Sequence, residues 1–258
     1  MARQFVDLSV QLEVGVTSDP PMMLPDIEYL NHHQTAEQVM QFFPGLTKED
    51  LPGGEGWALE RLQVATHNGT HVDAPYHYHS TMNNGKRAIT IDEVPLEWCF
   101  GNGVKLDFRT LSDGYVVNPD DIKKELARIG HTLKPLDIVL VNTSAGSRYG
   151  KEDYLEKGCG IGRAATNFLT EQGVRMVGTD AWSWDAPFTY TAKEFSRTGD
   201  PSIIWEGHRA GMDQGYCQIE KMTNLELLPS NGFLISAFPF KIKSASAGFT
   251  RAVAILET

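Results

Sequence analysis

Runs of apolar residues, separated by polar stretches, mark the C-terminal half of the chain and predict buried strands. Four such runs, each six to eight residues long, occupy positions 136–142, 174–180, 233–238 and 249–256. Short apolar runs of this length, bounded by turn residues, are typical of strands that a sheet buries on both faces. We therefore expect these four segments to lie in a central sheet.

The segment at 118–130 has the pattern of an amphipathic helix with marked ends. Asn118 can cap its start, Pro119 suits its first turn, and Gly130 can close its end. The apolar stripe of this helix consists of Ile122, Leu126 and Ile129.

A second helix is predicted at residues 163–172, ending before Gly173. Because strands and helices mix along one continuous stretch, we expect an α/β or α+β architecture. A chain of 258 residues is long enough for one domain with a sizeable core, so residues 1–258 are interpreted as a single domain.

Residues 17–56, called the excursion below, are weakly periodic and rich in proline, glycine and methionine. Long ordered excursions in compact domains often serve as lids or interfaces, and we expect one of these roles here. One short helix is predicted within it, at residues 35–43. His32 and His33 are expected at the surface.

Composition and charge narrow the class of protein. Hydrophobic residues make up 41% of the chain and charged residues 22%, which is ordinary for a globular protein. The formal net charge of -10 disfavours nucleic acid or an anionic membrane surface as a partner, because both bind mainly through Lys and Arg. We also find no signal peptide and no transmembrane segment. The three cysteines are odd in number and far apart, which predicts reduced thiols and a cytoplasmic protein.

Four of the eight histidines fall between His67 and His79. On a helix, His67 and His71 would share a face, but Asp73 would point away and the intervening residues are poor helix formers. On a straight strand the same two histidines would stand about 13 Å apart, at about 3.3 Å per residue, which is too far for one ion. The chain must therefore bend between them, and Gly69 is the residue that allows it.

This bent segment predicts a metal centre. Two imidazoles and a carboxylate, from His67, His71 and Asp73, suit zinc, manganese or iron. Pro75 redirects the chain, so that His77 can face the ion without binding it.

A second cluster, much later in the chain, could contribute to the same centre. His208 and Glu220 could complete the ligands of one ion, or hold a second ion with Asp73 as a bridge. A histidine and a glutamate twelve residues apart indicate little by themselves.

The run His-x-Gly-Thr-His-x-Asp-x-Pro-x-His, at positions 67–77, resembles the signature of the cyclase family of metal-dependent hydrolases. That family includes the bacterial kynurenine formamidases and the isatin hydrolases. Supporting matches at 6–9, 178–185 and 208–225 extend the resemblance over most of the chain. It implies an α/β fold, a swivelling β/β/α domain with a central mixed sheet flanked by helices. It also implies assembly as a homodimer or homotetramer.

The resemblance further implies roles for individual residues. The implied metal ligands are His67, His71, Asp73, His208 and Glu220. His77 would be the catalytic acid/base, with a pKa near neutrality. Glu220 matches formamidase-like members with two zinc ions, whereas isatin hydrolases carry glutamine there and one manganese ion. The implied cofactor is therefore one or two divalent ions, zinc or manganese.

The implied function is hydrolysis of the C–N bond of a small amide. The substrate would be a cyclic amide such as isatin, or an N-formyl aryl amine such as N-formylkynurenine. An alternative is a metal-dependent lyase or cyclase acting on a polyketide-like or hydroxy-acid substrate. A third hypothesis, a non-catalytic metal-binding protein, would need no acid/base residue beside the ligands.

Further side chains are candidates for contact with the substrate or the ligands. Trp57, Trp182 and Trp184 could form an aromatic wall for a planar substrate, although tryptophans more often pack in a core. Asp180 ends an apolar run, and it could either orient a ligating histidine through a hydrogen bond or cap a turn.

Overall fold

The computed structural model describes residues 2–257. Its strands are β1 (Arg3–Asp7), β2 (Asp26–Leu30), β3 (Leu59–Gln63), β4 (His71–Asp73), β5 (Thr81–Met82), β6 (Lys86–Arg87), β7 (Phe100–Asp107), β8 (Val116–Val117), β9 (Ile138–Asn142), β10 (Gly160–Ile161), β11 (Met176–Thr179), β12 (Cys217–Glu220), β13 (Phe233–Ser236), β14 (Ala247–Phe249) and β15 (Val253–Glu257). Its α-helices are α1 (His32–Met40), α2 (Pro75–Tyr78), α3 (Pro119–Arg128), α4 (Arg163–Glu171), α5 (Phe188–Thr198) and α6 (Glu206–Arg209).

Nine of the described strands form one curled mixed sheet, in the order β1-β15-β13-β7-β9-β11-β12-β4-β14. Strands β7, β9, β11 and β12 are parallel neighbours at its centre. The strands on either side join antiparallel. All the predicted apolar runs contribute to this sheet, and the central ones are buried on both faces, as parallel strands usually are.

Apolar side chains cover both faces of the sheet. On one face Val139 and Val177 pack in the same cluster as Ile122 of α3 and Leu169 of α4. The opposite face lies inside the curl of the sheet, where side chains of its own strands pack against one another and against loops and short 3-10 turns. Its fully buried side chains include Leu8, Val72, Leu140, Ile219 and Met222. This architecture, a mixed sheet flanked by helices, confirms the predicted α/β fold.

Helices α3 and α4 confirm the two predicted helices. The Asn118 side chain accepts hydrogen bonds from the backbone N–H groups of Asp120 and Asp121, which closes the start of α3. Gly130 and Gly173 follow the two helix ends with φ of +65° and +89°, a conformation that favours glycine. Among residues 2–257, no helix has the length and the apolar content needed to cross a membrane.

The last predicted strand, at 249–256, is divided in the structure. Strand β14 ends at Phe249 and pairs with β4, whereas β15 begins at Val253 and pairs with β1 and β13. These partners lie at opposite ends of the strand order, yet only three residues separate β14 from β15. Such a link spans at most about 14 Å, so the curl of the sheet must bring its two ends close together.

The excursion forms a two-stranded ribbon and a helix outside the main sheet. Strand β2 pairs antiparallel with β3. Helix α1 begins at His32, three residues before its predicted start, because Asn31 and Gln34 form a capping box. His32 and His33 are exposed, as predicted. The exposed apolar side chains of the excursion include Met22, Leu24, Tyr29, Phe42 and Phe43.

Candidate metal centre

The pairing of β4 with β12 brings the two predicted clusters side by side. In this register His71 lies opposite Glu220, and Asp73 lies opposite Gln218. Because side chains alternate along a strand, His71 and Asp73 share a face while Val72 enters the core. The Nε2 of His71 is 3.1 Å from Oδ1 of Asp73 and 3.7 Å from Oε2 of Glu220.

The bend predicted at Gly69 is present. This glycine has a φ of +57°, in the left-handed region, and the chain turns back so that the rings of His67 and His71 are 5.1 Å apart. The Nδ1 of His67 is 2.8 Å from Oδ1 of Asp73. Its Nε2 is 3.0 Å from the hydroxyl of Ser246, which fixes the ring.

Two short helices supply the remaining imidazoles. Helix α2 begins at Pro75 and carries His77, whose Nε2 is 3.9 Å from Oδ2 of Asp73. Helix α6 carries His208, whose Nε2 is 3.6 Å from Oε1 of Glu220. The fold therefore gathers His77 and all the predicted ligands in one region.

Several buried polar atoms of this region have no hydrogen-bond partner among the described residues. They are the Nε2 of His71 and both carboxylate oxygens of Asp73, whose contacts of 2.8 and 3.1 Å with imidazole nitrogens do not have hydrogen-bond geometry. Buried polar atoms are costly unless a partner satisfies them. Ligand atoms of His67, Asp73 and His77 lie within 4.8 Å of one another, and so do those of His71, Asp73 and Glu220. The chemistry of these side chains fits a divalent ion, and Asp73 is common to both sets.

Burial and charge shape the ionisation of the same residues. Burial would raise the pKa of Asp73, but the surrounding imidazoles outweigh it and hold the pKa well below its usual range. Burial, reinforced by the charge of Asp73, raises the pKa of Glu220 well above its usual range. Burial also lowers the pKa of His77 to about 3, so its ring is neutral at pH 7. The predicted pKa near neutrality is thus too high, because a buried imidazole is less readily protonated.

A cavity of about 200 Å³ opens beside these side chains. Its apolar wall contains Met23, Trp182, Phe188 and Trp205. The rings of Trp182 and Phe188 meet edge to face at 5.3 Å, and Trp205 stacks on His208 at 4.4 Å. A small aromatic cavity with a few polar groups at one end suits a planar organic molecule.

The other two candidate tryptophans lie elsewhere in the chain. Trp57 stands beside the excursion, with its ring 5.9 Å from that of Phe42, because the ribbon carries it away from the cavity. Trp184 is buried in the core, where its indole donates to the hydroxyl of Thr166. It still supports the centre through its backbone N–H, which donates to Glu220 at 3.0 Å.

The hydrogen bonds of Asp180 are those of a residue that caps a turn, which is the second of the two roles predicted for it. Its carboxylate accepts hydrogen bonds from the amide of Asn142 and from the backbone N–H and hydroxyl of Thr143, so it caps a turn. The carboxylate that contacts a predicted ligand is Asp185, whose Oδ2 is 2.5 Å from Nδ1 of His208. The sequence shows Asp185 just after the apolar run but does not indicate which histidine it meets.

Besides Met23 and Phe188, four residues reach this region without a sequence pattern that gave them a role. Asp19, Trp205 and Lys221 line the cavity, and Ser246 contacts His67. Each contacts residues far along the chain, so folding alone brings them together.

Comparison with known proteins gives consistent matches. Residues 6–186 match the model of the family described as "Putative cyclase". A kynurenine formamidase of Erythrobacter litoralis is 25% identical over 226 residues, which cover 85% of this chain and 90% of that protein. A kynurenine formamidase of Bacillus cereus is 29% identical over 126 residues, which cover 48% of this chain. This match spans 52%, about half, of the length of that relative. Isatin hydrolase A from Ralstonia solanacearum shares the fold, with a TM-score of 0.77 and 20% identity over 99% of this chain and 92% of that one.

Proposed function

The chain belongs to the cyclase family, and on that premise we propose that it is a metal-dependent hydrolase that cleaves the C–N bond of a small amide. One observation carries the proposal. The Nε2 of His71 and the carboxylate of Asp73 are buried without hydrogen-bond partners beside an aromatic cavity. A divalent ion would satisfy these atoms and would stand next to any molecule in that cavity.

The metal ligands that we assign are His67, His71, Asp73, His208 and Glu220. Imidazoles combined with carboxylates suit zinc or manganese, and the shared position of Asp73 suits one or two ions. A bound divalent ion would polarise the amide carbonyl and lower the pKa of a water molecule. The contacts of His67 with Ser246 and of His208 with Asp185 hold two of the ligand rings in place.

The role that we assign to His77 is general acid/base catalysis. Its neutral ring accepts a proton from the attacking water and later donates a proton to the leaving nitrogen. The ring lies 4.0 Å from that of His67 and 5.1 Å from that of Trp205, so it stands between the ligands and the aromatic wall. From this position it would reach both a water molecule beside the ligands and a substrate in the cavity.

The substrates that we propose are small planar amides. Candidates are a cyclic amide such as isatin and an N-formyl aryl amine such as N-formylkynurenine. The cavity of about 200 Å³, walled by Trp182, Phe188 and Trp205, supports a molecule with one or two rings. The names of the relatives, kynurenine formamidase and isatin hydrolase, favour this chemistry over the lyase or cyclase alternative.

Removal and restoration of the metal test this proposal. Protein stripped with a chelator is assayed on N-formylkynurenine, isatin and related cyclic amides, with and without added Zn²⁺ or Mn²⁺. We expect hydrolysis of at least one amide only when metal is present. The same rate without metal, or a carboxylate released by elimination without uptake of water, would contradict the proposal.

We further propose that the protein is a cytoplasmic homodimer or homotetramer. The exposed apolar side chains of the excursion support contact with a second copy, because monomers rarely expose large apolar patches. Cys99, Cys159 and Cys217 are buried and unpaired, as is usual in a reducing compartment.

A further inference from the structure

A buried ion pair lies at the edge of the cavity, and the chemistry proposed above uses neither of its members. The Nζ of Lys221 donates to Oδ1 of Asp19, from a position 202 residues further along the chain. The side chain of Lys221 is 2% exposed and that of Asp19 is fully buried. Both residues line the cavity.

Asp19 connects three separate parts of the cavity. Its carboxylate accepts hydrogen bonds from the amide of Asn68 and the indole of Trp182, each at 3.1 Å, as well as from Lys221. Asn68 also donates to the backbone carbonyl of Met23, at 2.7 Å. Asp19 therefore ties the start of the excursion to the loop before β4 and to the aromatic wall.

Lys221 connects the two segments that carry the proposed ligands. It directly follows Glu220, and its Nζ donates to the backbone carbonyl of His67 at 2.8 Å. Its own carbonyl accepts a hydrogen bond of 2.6 Å from the hydroxyl of Thr70. Its φ of +56° is unusual for a residue other than glycine, and such strain is common where function requires a fixed geometry.

Stability alone does not account for this pair. Taking a lysine and an aspartate out of water is costly, and apolar residues of similar size often stabilise a core equally well. A fixed geometry is the other benefit that such a pair can give. Lys221 holds the backbone carbonyl of His67 through a hydrogen bond, and it directly follows Glu220 in the chain. In that position it links the two segments that carry the assigned ligands.

We propose that Asp19 and Lys221 are positioning residues for the metal centre. The pair sets the place of the His67 loop relative to β12, and it anchors the excursion and Trp182 against the cavity. This inference rests on the proposed metal-dependent function. Groups that orient metal ligands from outside typically change metal affinity by 10–100-fold when they are removed.

The test measures the affinity of the metal-stripped protein for Mn²⁺ and Zn²⁺ by calorimetry, together with the urea midpoint of the metal-free form. The variants are Asp19→Asn, Lys221→Met and the double variant, which removes both charges at nearly constant volume. The matched control is Asp113→Asn/Lys157→Met, another Lys–Asp pair, with 2.9 Å between Nζ and Oδ2. We expect affinity to fall by about 10–100-fold in the double variant and by less than about twofold in the control.

A loss of stability with unchanged metal affinity in the double variant would show a purely structural pair and overturn the inference. If the double variant does not fold, the same comparison of metal affinity and urea midpoint is made with Asp19→Asn. Failure of the wild-type protein to bind either ion would contradict the proposed function and the positioning role together. Equal affinities of wild type and variant would overturn the positioning role alone.

Discussion

At the scale of single residues, Asp73 has the most connections in the candidate metal centre. It lies within 4 Å of His67, His71 and His77, and both sets of possible ligands include it. Removing a carboxylate shared in this way would weaken both sets of possible ligands.

We predict that Asp73→Asn removes the metal. Loss of an outer partner typically lowers metal affinity by 10–100-fold, so loss of the shared ligand should lower it by about 100-fold or more. Elemental analysis of purified protein measures this, with Asp120→Asn, at a largely exposed side chain, as the control. Full metal occupancy in Asp73→Asn would contradict the ligand assignment.

His77 should behave differently, because its assigned role is proton transfer. We expect His77→Asn to keep its metal content and to lose turnover by about 10²–10⁴-fold, the usual contribution of a general acid or base. His79→Asn is the matched control, since His79 is exposed and lies in the same segment. Wild-type turnover in His77→Asn would show that another group moves the proton.

At the scale of elements, the short strand β4 and the loop before it determine the shape of the centre. The pairing with β12 fixes His71 and Asp73, while Gly69 turns the chain so that His67 faces them. The geometry of the site therefore depends on one backbone conformation that a side chain would disfavour.

We predict that Gly69→Ala destabilises the protein by about 1–2 kcal/mol, the usual cost of a left-handed conformation for a residue with a Cβ. The nearest atom to such a Cβ is 3.7 Å away, so the cost arises from the backbone and not from a clash. Gly130→Ala is the control, with a φ of +65° and open space around it. Urea unfolding should show a similar loss of unfolding free energy in both variants, whereas only Gly69→Ala should weaken metal binding.

At the scale of the whole molecule, the first and last strands pair with each other at one edge of the main sheet. Strand β1 pairs with β15, and Asp7 forms a two-point ion pair with Arg251 in the link between β14 and β15. That residues 1–258 form one domain stays a prediction, which this pairing of the termini supports.

The Asp7–Arg251 pair should make stability depend on acid pH. The Arg251 hydrogen bond is the main cause that lowers the pKa of Asp7 below its usual value of 3.8. An acid with a lowered pKa stabilises the fold above its unfolded pKa, and this contribution is lost as pH falls through the folded value. We expect Asp7→Asn to lower the free energy of unfolding by about 0.5 kcal/mol at pH 7, since the pair is partly exposed, and by progressively less as the pH falls below 3.8. Urea unfolding over a series of pH values from 7 into the acid range measures this, and a difference that does not change with pH would contradict it.

The excursion is the segment through which we expect two copies of the chain to associate. If the excursion contacts a second copy, Phe43→Glu should place a charge in that contact and shift the protein to monomer, because Phe43 is 57% exposed. Light scattering during gel filtration measures the mass. Leu227→Glu is the control, at a residue 61% exposed outside the excursion. A wild-type monomer, or an unchanged mass in Phe43→Glu, would contradict this contact.

The sequence by itself determined what depends on neighbouring residues. The apolar runs, the capped helix at 118–130, and the bend at Gly69 follow from local spacing and backbone preference, which act over a few positions. The histidine-rich segment likewise carries most of the candidate site within 11 residues, from His67 to His77. Spacing argued against a straight strand there, and spacing together with helix propensity argued against a regular helix.

The resemblance already implied His208 and Glu220, but only the tertiary structure decided which contacts bring distant residues to the site. The sheet register placed Glu220 opposite His71, Asp185 met His208, and the ribbon carried Trp57 away from the cavity. Burial, which depends on the packing of the whole chain, lowered the pKa of His77 to about 3. These outcomes arise from contacts between residues tens to hundreds of positions apart, and local sequence patterns carry no information about such contacts.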